Sequence, residues 1–309
     1  MSGSSPSSSE PIIFVHRGCQ PFFHAVARQA IRMNPRADVW NIGDVRAREV
    51  PGLRFEKLSR YEREMRQLEE VYVHYSPNPV DFELFCIQRW FAVWGLMERL
   101  DVRQAWVLDS DVLVYSELMG LDAFKTLGTG FTINGASPHA MFIRSRDALR
   151  TFCDDTIAAY RDGHMSDVAM RLGGEVKGIS DMAFFQYVSR LHPGLMGNNA
   201  EIVDGAMFDN NFGSDQGCEM ENGRKRLTWI DGAPHATLRG NGELVRLHGL
   251  HFQGGLKPAI LEFMAEHGPE RRSLLTLLEG TMCRVMRSRR RKRLEKIIGS
   301  VDSLPAKAA

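Results

Sequence analysis

Short apolar runs set between amphipathic stretches organise the first half of the chain. Ile12-Ile13-Phe14-Val15 is continuous enough to be a strand buried on both faces, and it ends at His16-Arg17-Gly18. A helical stretch from Phe22 to Met33 follows, then Asn34-Pro35 and a second strand around Val39 to Ile42. This predicts a strand, helix, strand unit with short connections, the building block of a parallel sheet. Residues 59 to 74 place Tyr61, Met65, Leu68 and Tyr72 on one helical face. Asp81 to Leu100 is a stronger helix, with Phe82, Phe85, Ile87, Trp90, Phe91 and Trp94 on its buried side. It leads directly into a third apolar run, Ala105-Trp106-Val107. Beyond Val114, strand-like pieces at Gly130 to Ile133 and Ala140 to Ile143 precede a helix from Arg146 to Tyr160. Another helix starts at Ser180-Asp181, with Ser180 as its N-cap. Residues 191 to 243 hold many Gly, Asn and Asp, the composition of loops and short strands, and from Pro269 a long helix runs on, interrupted at Gly280.

With 309 residues and 43% apolar content the chain can bury a substantial core, as one large domain or a domain with an appendage. The net charge of +1 hides an asymmetry: residues 284 to 296 hold eight Arg or Lys against Glu295 alone, which leaves the rest mildly acidic. That distribution does not fit a nucleic-acid binder, whose basic residues spread over a groove-facing surface. On a helix, Leu274, Leu278, Met282, Val285 and Met286 gather on one side, so residues 270 to 298 either lie on an anionic membrane surface or form an ordinary solvated helix. The five cysteines are far apart and include no Cys-x-x-Cys pair, which reads as reduced thiols in a cytoplasmic protein. Residues 1 to 11 are Ser-rich and lack the features of a secretory signal, so they read as a disordered leader. The expected location is cytoplasmic, with peripheral attachment to the inner membrane face if the basic segment binds lipid.

Candidate chemistry begins at Asp109-Ser110-Asp111, directly after the third apolar run. Residues i and i+2 of a strand point the same way, so where the strand breaks into a turn both carboxylates can reach one divalent cation. Chance alone supplies about one such pair in a chain of this length, and the motif by itself decides nothing. A second element, Leu247-His248-Gly249-Leu250-His251-Phe252-Gln253-Gly254-Gly255-Leu256-Lys257-Pro258, is far rarer. A histidine at a strand end offers a nitrogen ligand, a Gly-Gly turn lets backbone N–H groups approach an anion, and Lys257 adds a point charge for a phosphate. Arg89 stands among aromatics in its helix, either covering a flank or reaching into a phosphate site. Asp44, after the second strand, is placed either for a ribose or base or as a surface turn residue.

Together these motifs resemble glycosyltransferase family 8, the glycogenin and lipopolysaccharide galactosyltransferase group, over roughly residues 12 to 268. His251, Phe252, Gly254, Lys257 and Pro258 match the family's His-aromatic-x-Gly-x-x-Lys-Pro position by position, while Ala259 stands where a Trp is common. The resemblance implies an α/β fold: a single GT-A, Rossmann-like domain with a mixed central sheet at residues 12 to 268, followed by a basic helical extension at 269 to 309. It implies a retaining transfer of a hexose from a nucleotide sugar, favouring UDP, to a saccharide or lipid-linked acceptor. Asp109, Asp111 and His251 would hold Mn2+ or Mg2+, with Mn2+ favoured because a nitrogen joins the oxygens. Ser110 would contact the ribose, Gly254 and Lys257 the diphosphate, and Arg89 the phosphate and donor sugar. The family's Asn-x-Gly strand has two counterparts in Ile133 to His139, so either Asn134 or His139 lines the sugar pocket. Asp181 is the counterpart of the acid facing the anomeric carbon, though followed by Met182 rather than Gln, and a structural helix-cap role suits it nearly as well. Retention is open between a covalent intermediate on Asp181 and same-face attack.

Two other classes stand beside this reading. Haloacid-dehalogenase-like phosphatases also place Asp-x-Asp after a strand, with Asp109 then the nucleophile, but Leu113 stands where they carry Thr or Val and the His251 to Pro258 motif is left unexplained. A protein of the same fold that binds a sugar nucleotide without turnover would keep the metal residues and lack the transfer.

Overall fold

The computed structural model describes residues 10–18, 20–135, 137–172 and 178–267. Most of the expected leader and the whole basic segment, including residues 270–298, lie outside the described residues. Glu10 and Pro11, at the leader's end, are tied in: Glu10 pairs with Lys125 at 2.7 Å, and the Pro11 carbonyl accepts from the Trp106 N–H at 2.9 Å. Internal contacts separate a unit Met1–Lys257 from a unit Pro258–Ala309. In the second unit the described element is the helix Ala259–His267, where the Phe263 and His267 rings lie 4.8 Å apart.

The first unit is built on a mixed seven-stranded sheet. In chain order its elements are β1 (Ile12–His16), α1 (Pro21–Met33), β2 (Val39–Gly43), β3 (Leu53–Lys57), α2 (Glu62–Glu69), α3 (Val80–Leu100), β4 (Ala105–Leu108) and β5 (Val112–Val114). Then come α4 (Asp122–Lys125), β6 (Phe131–Asn134), β7 (Ser137–Ile143), α5 (Arg146–Arg161), α6 (Met165–Val168), α7 (Asp181–Leu191) and β8 (Met196–Asn198). The strand order is β3-β2-β1-β4-β7-β6-β8, parallel from β3 to β4, with β7 antiparallel to both β4 and β6. The chain runs outward from β1 through β2 to β3, then returns to place β4 on the other side of β1. That reversal is a topological switch point, and it opens a crevice at the carboxyl ends of β1 and β4.

Both faces of β1 and β2 are covered, which is why they are apolar throughout rather than alternating. Ile13, Val15, Trp40 and Ile42 pack in one cluster with Ile87, Trp90 and Phe91 of α3, and with Phe152, Phe184 and Phe185. On the other face the Phe14 ring meets Phe23 of α1 edge-on at 5.5 Å. Each such fully buried side chain contributes about 1.5–3 kcal/mol of transfer free energy. Acidic Asp81 and Glu83 favour the start of α3, and Asp101 ends it with φ of 52°. Of the expected buried face of α3, Ile87, Trp90 and Phe91 are buried, Phe85 and Trp94 are half-buried, and Phe82 is exposed. Likewise α2 stops at Glu69, so Tyr72 falls beyond the helix.

The loop-rich region yields short strands: β9 (Ala206–Met207), β10 (Met220–Glu221), β11 (Arg224–Lys225), β12 (Leu227–Ile230), β13 (Ala233–Thr237), β14 (Leu244–Leu247) and β15 (Gly249–His251). The first pairs with β14 in a four-stranded sheet of order β12-β13-β14-β9, and β10 and β11 form a hairpin. The last, β15, pairs with β5. No helix among the described residues is long and apolar enough to cross a membrane.

Candidate active site

Asp109-Ser110-Asp111 connects β4 to β5. The Asp109 N–H donates to the His139 carbonyl at 2.7 Å, extending the β4–β7 ladder, and the Asp109 carbonyl accepts from Val112 at 3.1 Å to close a tight turn. β15 runs antiparallel to β5 with His251 opposite Val112, Leu250 opposite Leu113 and Gly249 opposite Val114. One further bond, Phe252 N–H to the Asp111 carbonyl at 3.0 Å, carries the pairing into the turn. This register sets His251 beside residues some 140 positions earlier in the chain. A coordinating atom from each of Asp109, Asp111 and His251 lies within 4.8 Å of the other two. His251 Nε2 is 3.7 Å from Asp111 Oδ1, while Nδ1 is 2.6 Å from the Asn210 carbonyl oxygen. A carbonyl only accepts, so a hydrogen is on Nδ1, and it is Nε2 that faces the carboxylates.

The charges around this group come from three elements. Arg89, on α3, donates from Nη1 to Asp109 Oδ1 and from Nη2 to Asp181 Oδ2 at 2.8 Å, and its guanidinium lies 4.6 Å from the Trp90 ring. The Trp90 indole N–H also donates to Asp181 Oδ2, at 3.2 Å. Lys257 Nζ is 3.0 Å from Asp111 Oδ2 on a side chain 41% exposed. Burial works to raise the Asp109 carboxyl, but the charge of Arg89 outweighs it and holds the group below the ordinary value. Asp111 is pushed up by burial and by the charge on Asp109. Burial raises Asp181 too, against the pull of Arg89. Three carboxylates thus face two cations, with one imidazole nitrogen lone pair beside them. That donor set fits a divalent ion of the kind that takes oxygen and nitrogen ligands.

His139 stacks on His251, ring centroids 4.0 Å apart and planes 11° from parallel. Both its nitrogens are engaged: Nδ1 with Ser137 Oγ at 2.9 Å, and Nε2 with the Asp209 carbonyl at 2.9 Å. Burial holds it neutral, down to about 3. His139 therefore supports His251 instead of presenting a nitrogen for proton transfer. The other histidine of the late motif, His248, turns away to Ser116 Oγ at 2.7 Å and packs edge-on against Phe124. Ser180 takes the N-cap position of α7 but makes no side-chain cap bond, and Asp181 heads the helix. Ser110 is half-buried at the turn's centre, and Gly254 has φ of 62° with open space where a Cβ would stand.

Two cavities are lined by residues of the neighbouring elements. One, of about 590 Å³, is lined by Arg17, Asp44, Lys57, Arg66, Asp81 and Gln88, at the carboxyl ends of β1, β2 and β3. In it Asp44 Oδ1 accepts from the Gly18 N–H at 2.7 Å, and the Arg17 guanidinium lies 3.8 Å over the Phe85 ring. The other, of about 380 Å³, is lined by Asn134, Ser137, Met182, Met207, Asn210 and Gln216, with no charged side chain. The Asn134 amide donates to the Phe208 carbonyl at 3.0 Å and lines this second cavity, whereas His139 is buried against His251 and is not part of its lining. Neither Trp90's bond to Asp181 nor the Asn210 carbonyl on His251 is signalled by any local sequence pattern. The one is a core indole among many aromatics, the other a backbone atom in an Asn-rich stretch.

No protein-family model matches this sequence, and no curated protein matches it. Solved structures do. The chain is similar to mouse xyloside xylosyltransferase 1 at 11% identity, over 62% of this chain and 84% of that one, with a TM-score of 0.45. It is similar to the galactosyltransferase LgtC, solved with donor and acceptor sugar analogs, at 13% identity over 61% and 72%, with a TM-score of 0.39. The bifunctional glycosyltransferase WbbM matches at 10% identity over 87% of this chain and 52% of that one, with a TM-score of 0.44. Each of these three similar structures is a glycosyltransferase.

Proposed function

We propose that this chain is a metal-dependent, retaining glycosyltransferase that moves a hexose from a nucleotide sugar, with UDP as the favoured nucleotide, to a saccharide or lipid-linked acceptor. The observation that carries the reading is the convergence of Asp109, Asp111 and His251, with Lys257 on the same carboxylate. Asp109, Asp111 and His251 Nε2 are the residues that would hold Mn2+ or Mg2+. When bound, such an ion supplies Lewis-acid stabilisation of the charge on a departing diphosphate.

The chain's own groups divide the remaining work. The charged cavity at the ends of β1 to β3 takes the nucleoside, with Asp44 and Ser110 toward ribose or base. Lys257 reaches a diphosphate oxygen from its exposed stem, beside the backbone N–H groups of the turn that starts at Gly254. The uncharged cavity, rich in amide and methionine side chains, takes the donor hexose and a neutral acceptor. Asp181 is the acid we assign to the reacting sugar. Arg89 and Trp90 both bind its Oδ2, so Oδ1 is the oxygen we assign to the anomeric centre, where a carboxylate stabilises an oxocarbenium-like sugar. These donors are fixed by packing before any substrate arrives, the condition under which electrostatic stabilisation is most effective.

The test is a thermal-shift screen of nucleotide sugars with and without Mn2+, followed by release of nucleoside diphosphate. A ligand at a hundred times its dissociation constant adds about 2.7 kcal/mol of stability, which a melting curve resolves. A Mn2+-dependent shift with one UDP-sugar is expected, together with slow UDP release without acceptor. Asp111→Asn and His251→Ala should each weaken Mn2+-dependent binding at least tenfold. If both variants bind as the wild type does, the metal assignment is wrong. Binding without turnover in any acceptor screen would instead mark a sugar-nucleotide-binding protein.

A further inference from the structure

Asp209-Asn210-Asn211, a stretch with no readable sequence pattern, is where side chains from three distant elements converge. Its three consecutive carbonyls accept in turn from His139 Nε2 at 2.9 Å, His251 Nδ1 at 2.6 Å and Lys225 Nζ at 2.6 Å. The Asp209 carboxylate is divided in the same way: Oδ1 lies 2.6 Å from Lys225 Nζ, and Oδ2 accepts from the His251 backbone N–H at 3.0 Å. Lys225 places its third donor on Gln216 Oε1 at 3.2 Å, so its ammonium is fully satisfied. The side chains of Lys225 and Asp209 are both 0% exposed. An ammonium and a carboxylate held so far from water need specific geometry, and here that geometry is directed at one short loop.

The loop in turn dictates how two stacked imidazoles carry their hydrogens. His139 donates from Nε2 and accepts from Ser137 at Nδ1, whereas His251 donates from Nδ1 and keeps the Nε2 lone pair toward Asp111. Moving the Asn210 carbonyl would release the His251 hydrogen to either nitrogen and free the ring to turn. We propose that Lys225 is a positioning residue, which fixes the 209–211 loop through Asp209 and the Asn211 carbonyl and so aims His251 Nε2 at Asp109 and Asp111. The inference rests on the reading of those three residues as a metal site. Lys225 itself touches neither metal nor substrate; it acts through the loop.

Nitrogen-15 NMR of the full-length protein labelled at histidine reads the tautomers directly. In the wild type, the signal that His251→Ala removes is expected to be that of an Nδ1–H tautomer. Lys225→Met should convert it to a mixture, and Mn2+ affinity, followed by the resonance of the free ion, should fall 10- to 100-fold. Should that variant not fold, Lys225→Met combined with Asp209→Asn leaves no unpaired buried charge and carries the same expectation. An Nε2–H tautomer at His251 in the wild type would overturn the proposal. So would a folded Lys225 variant with unchanged tautomers and unchanged Mn2+ affinity. A different failure, Mn2+ affinity indifferent to His251→Ala, sinks the metal reading instead, while the tautomer result still stands or falls by itself.

Discussion

Arg89 holds two carboxylates at once, Asp109 through one terminal nitrogen and Asp181 through the other, and this makes it the most constrained residue of the site. Its planar fork suits two acceptors at fixed separation, which a lysine's point charge does not reproduce. Arg89→Met would leave the buried Asp181 and the half-buried Asp109 without their cation, and unfolding by urea should report a loss of about 3 kcal/mol. Asp181→Asn is the gentler probe. The amide oxygen can still accept from Arg89 and Trp90, so stability and Mn2+-dependent nucleotide binding should change little while transfer falls at least a hundredfold. Equal loss of binding and transfer would assign Asp181 to the scaffold. The sequence offered two roles for Arg89, flank cover and phosphate contact, and the structure adds a third. Its partners stand 20 and 92 positions away, and no local pattern specifies such a pairing.

At the scale of elements, the decisive contact is a pair of three-residue strands. β5 and β15 are too short for their own periodicity to reveal a partner, yet their register alone decides whether a histidine meets the aspartates. Gly249 is the tight point. A Cβ there would lie 3.4 Å from both the Leu113 carbonyl and Val112 Cγ1, already in contact, so the further methyls of Gly249→Val would crowd that shell. That substitution should cost about 1–3 kcal/mol and weaken Mn2+ binding as His251 shifts. Gly255→Ala, with nothing within 4 Å of the added atom, should leave the melting temperature unchanged. Similar shifts for both would remove the special status of the β5–β15 pair. The long elements were legible because burial writes a pattern into them: β1, β2, α1, α3, α5 and α7 all fall where the apolar periodicity places them. From 191 to 243 the strands are brief and the turns many, and hydrophobic spacing carries little there.

For the molecule as a whole, three histidines buried in neutral form tie stability to pH. Burial lowers His16 and His248 to about 4 and His139 to about 3, against an ordinary value of 6.5. Above pH 6.5 folded and unfolded chains are alike at these sites, and the full stability is present. As pH falls from 6.5 toward 4 the unfolded chain gains protons that the folded one refuses, and each such histidine removes about 1.4 kcal/mol per pH unit. His248 lies away from the metal residues, so His248→Asn isolates one of these contributions. Urea unfolding at pH 7, 6 and 5 should show a shallower dependence in that variant by about 1.4 kcal/mol per unit, and an unchanged slope would mean His248 takes its proton in the folded state. The domain's class was legible from its first strand, helix and strand. The long-range joining of two motifs was suggested by resemblance and given its physical form by the topology. That topology also makes the Asp-Ser-Asp turn a seam, with Asp109 directly after a strand of the large sheet and Asp111 directly before a strand of the small one. Three residues join the two sheets at this point, so the separation of the two carboxylates follows from how one sheet is set against the other.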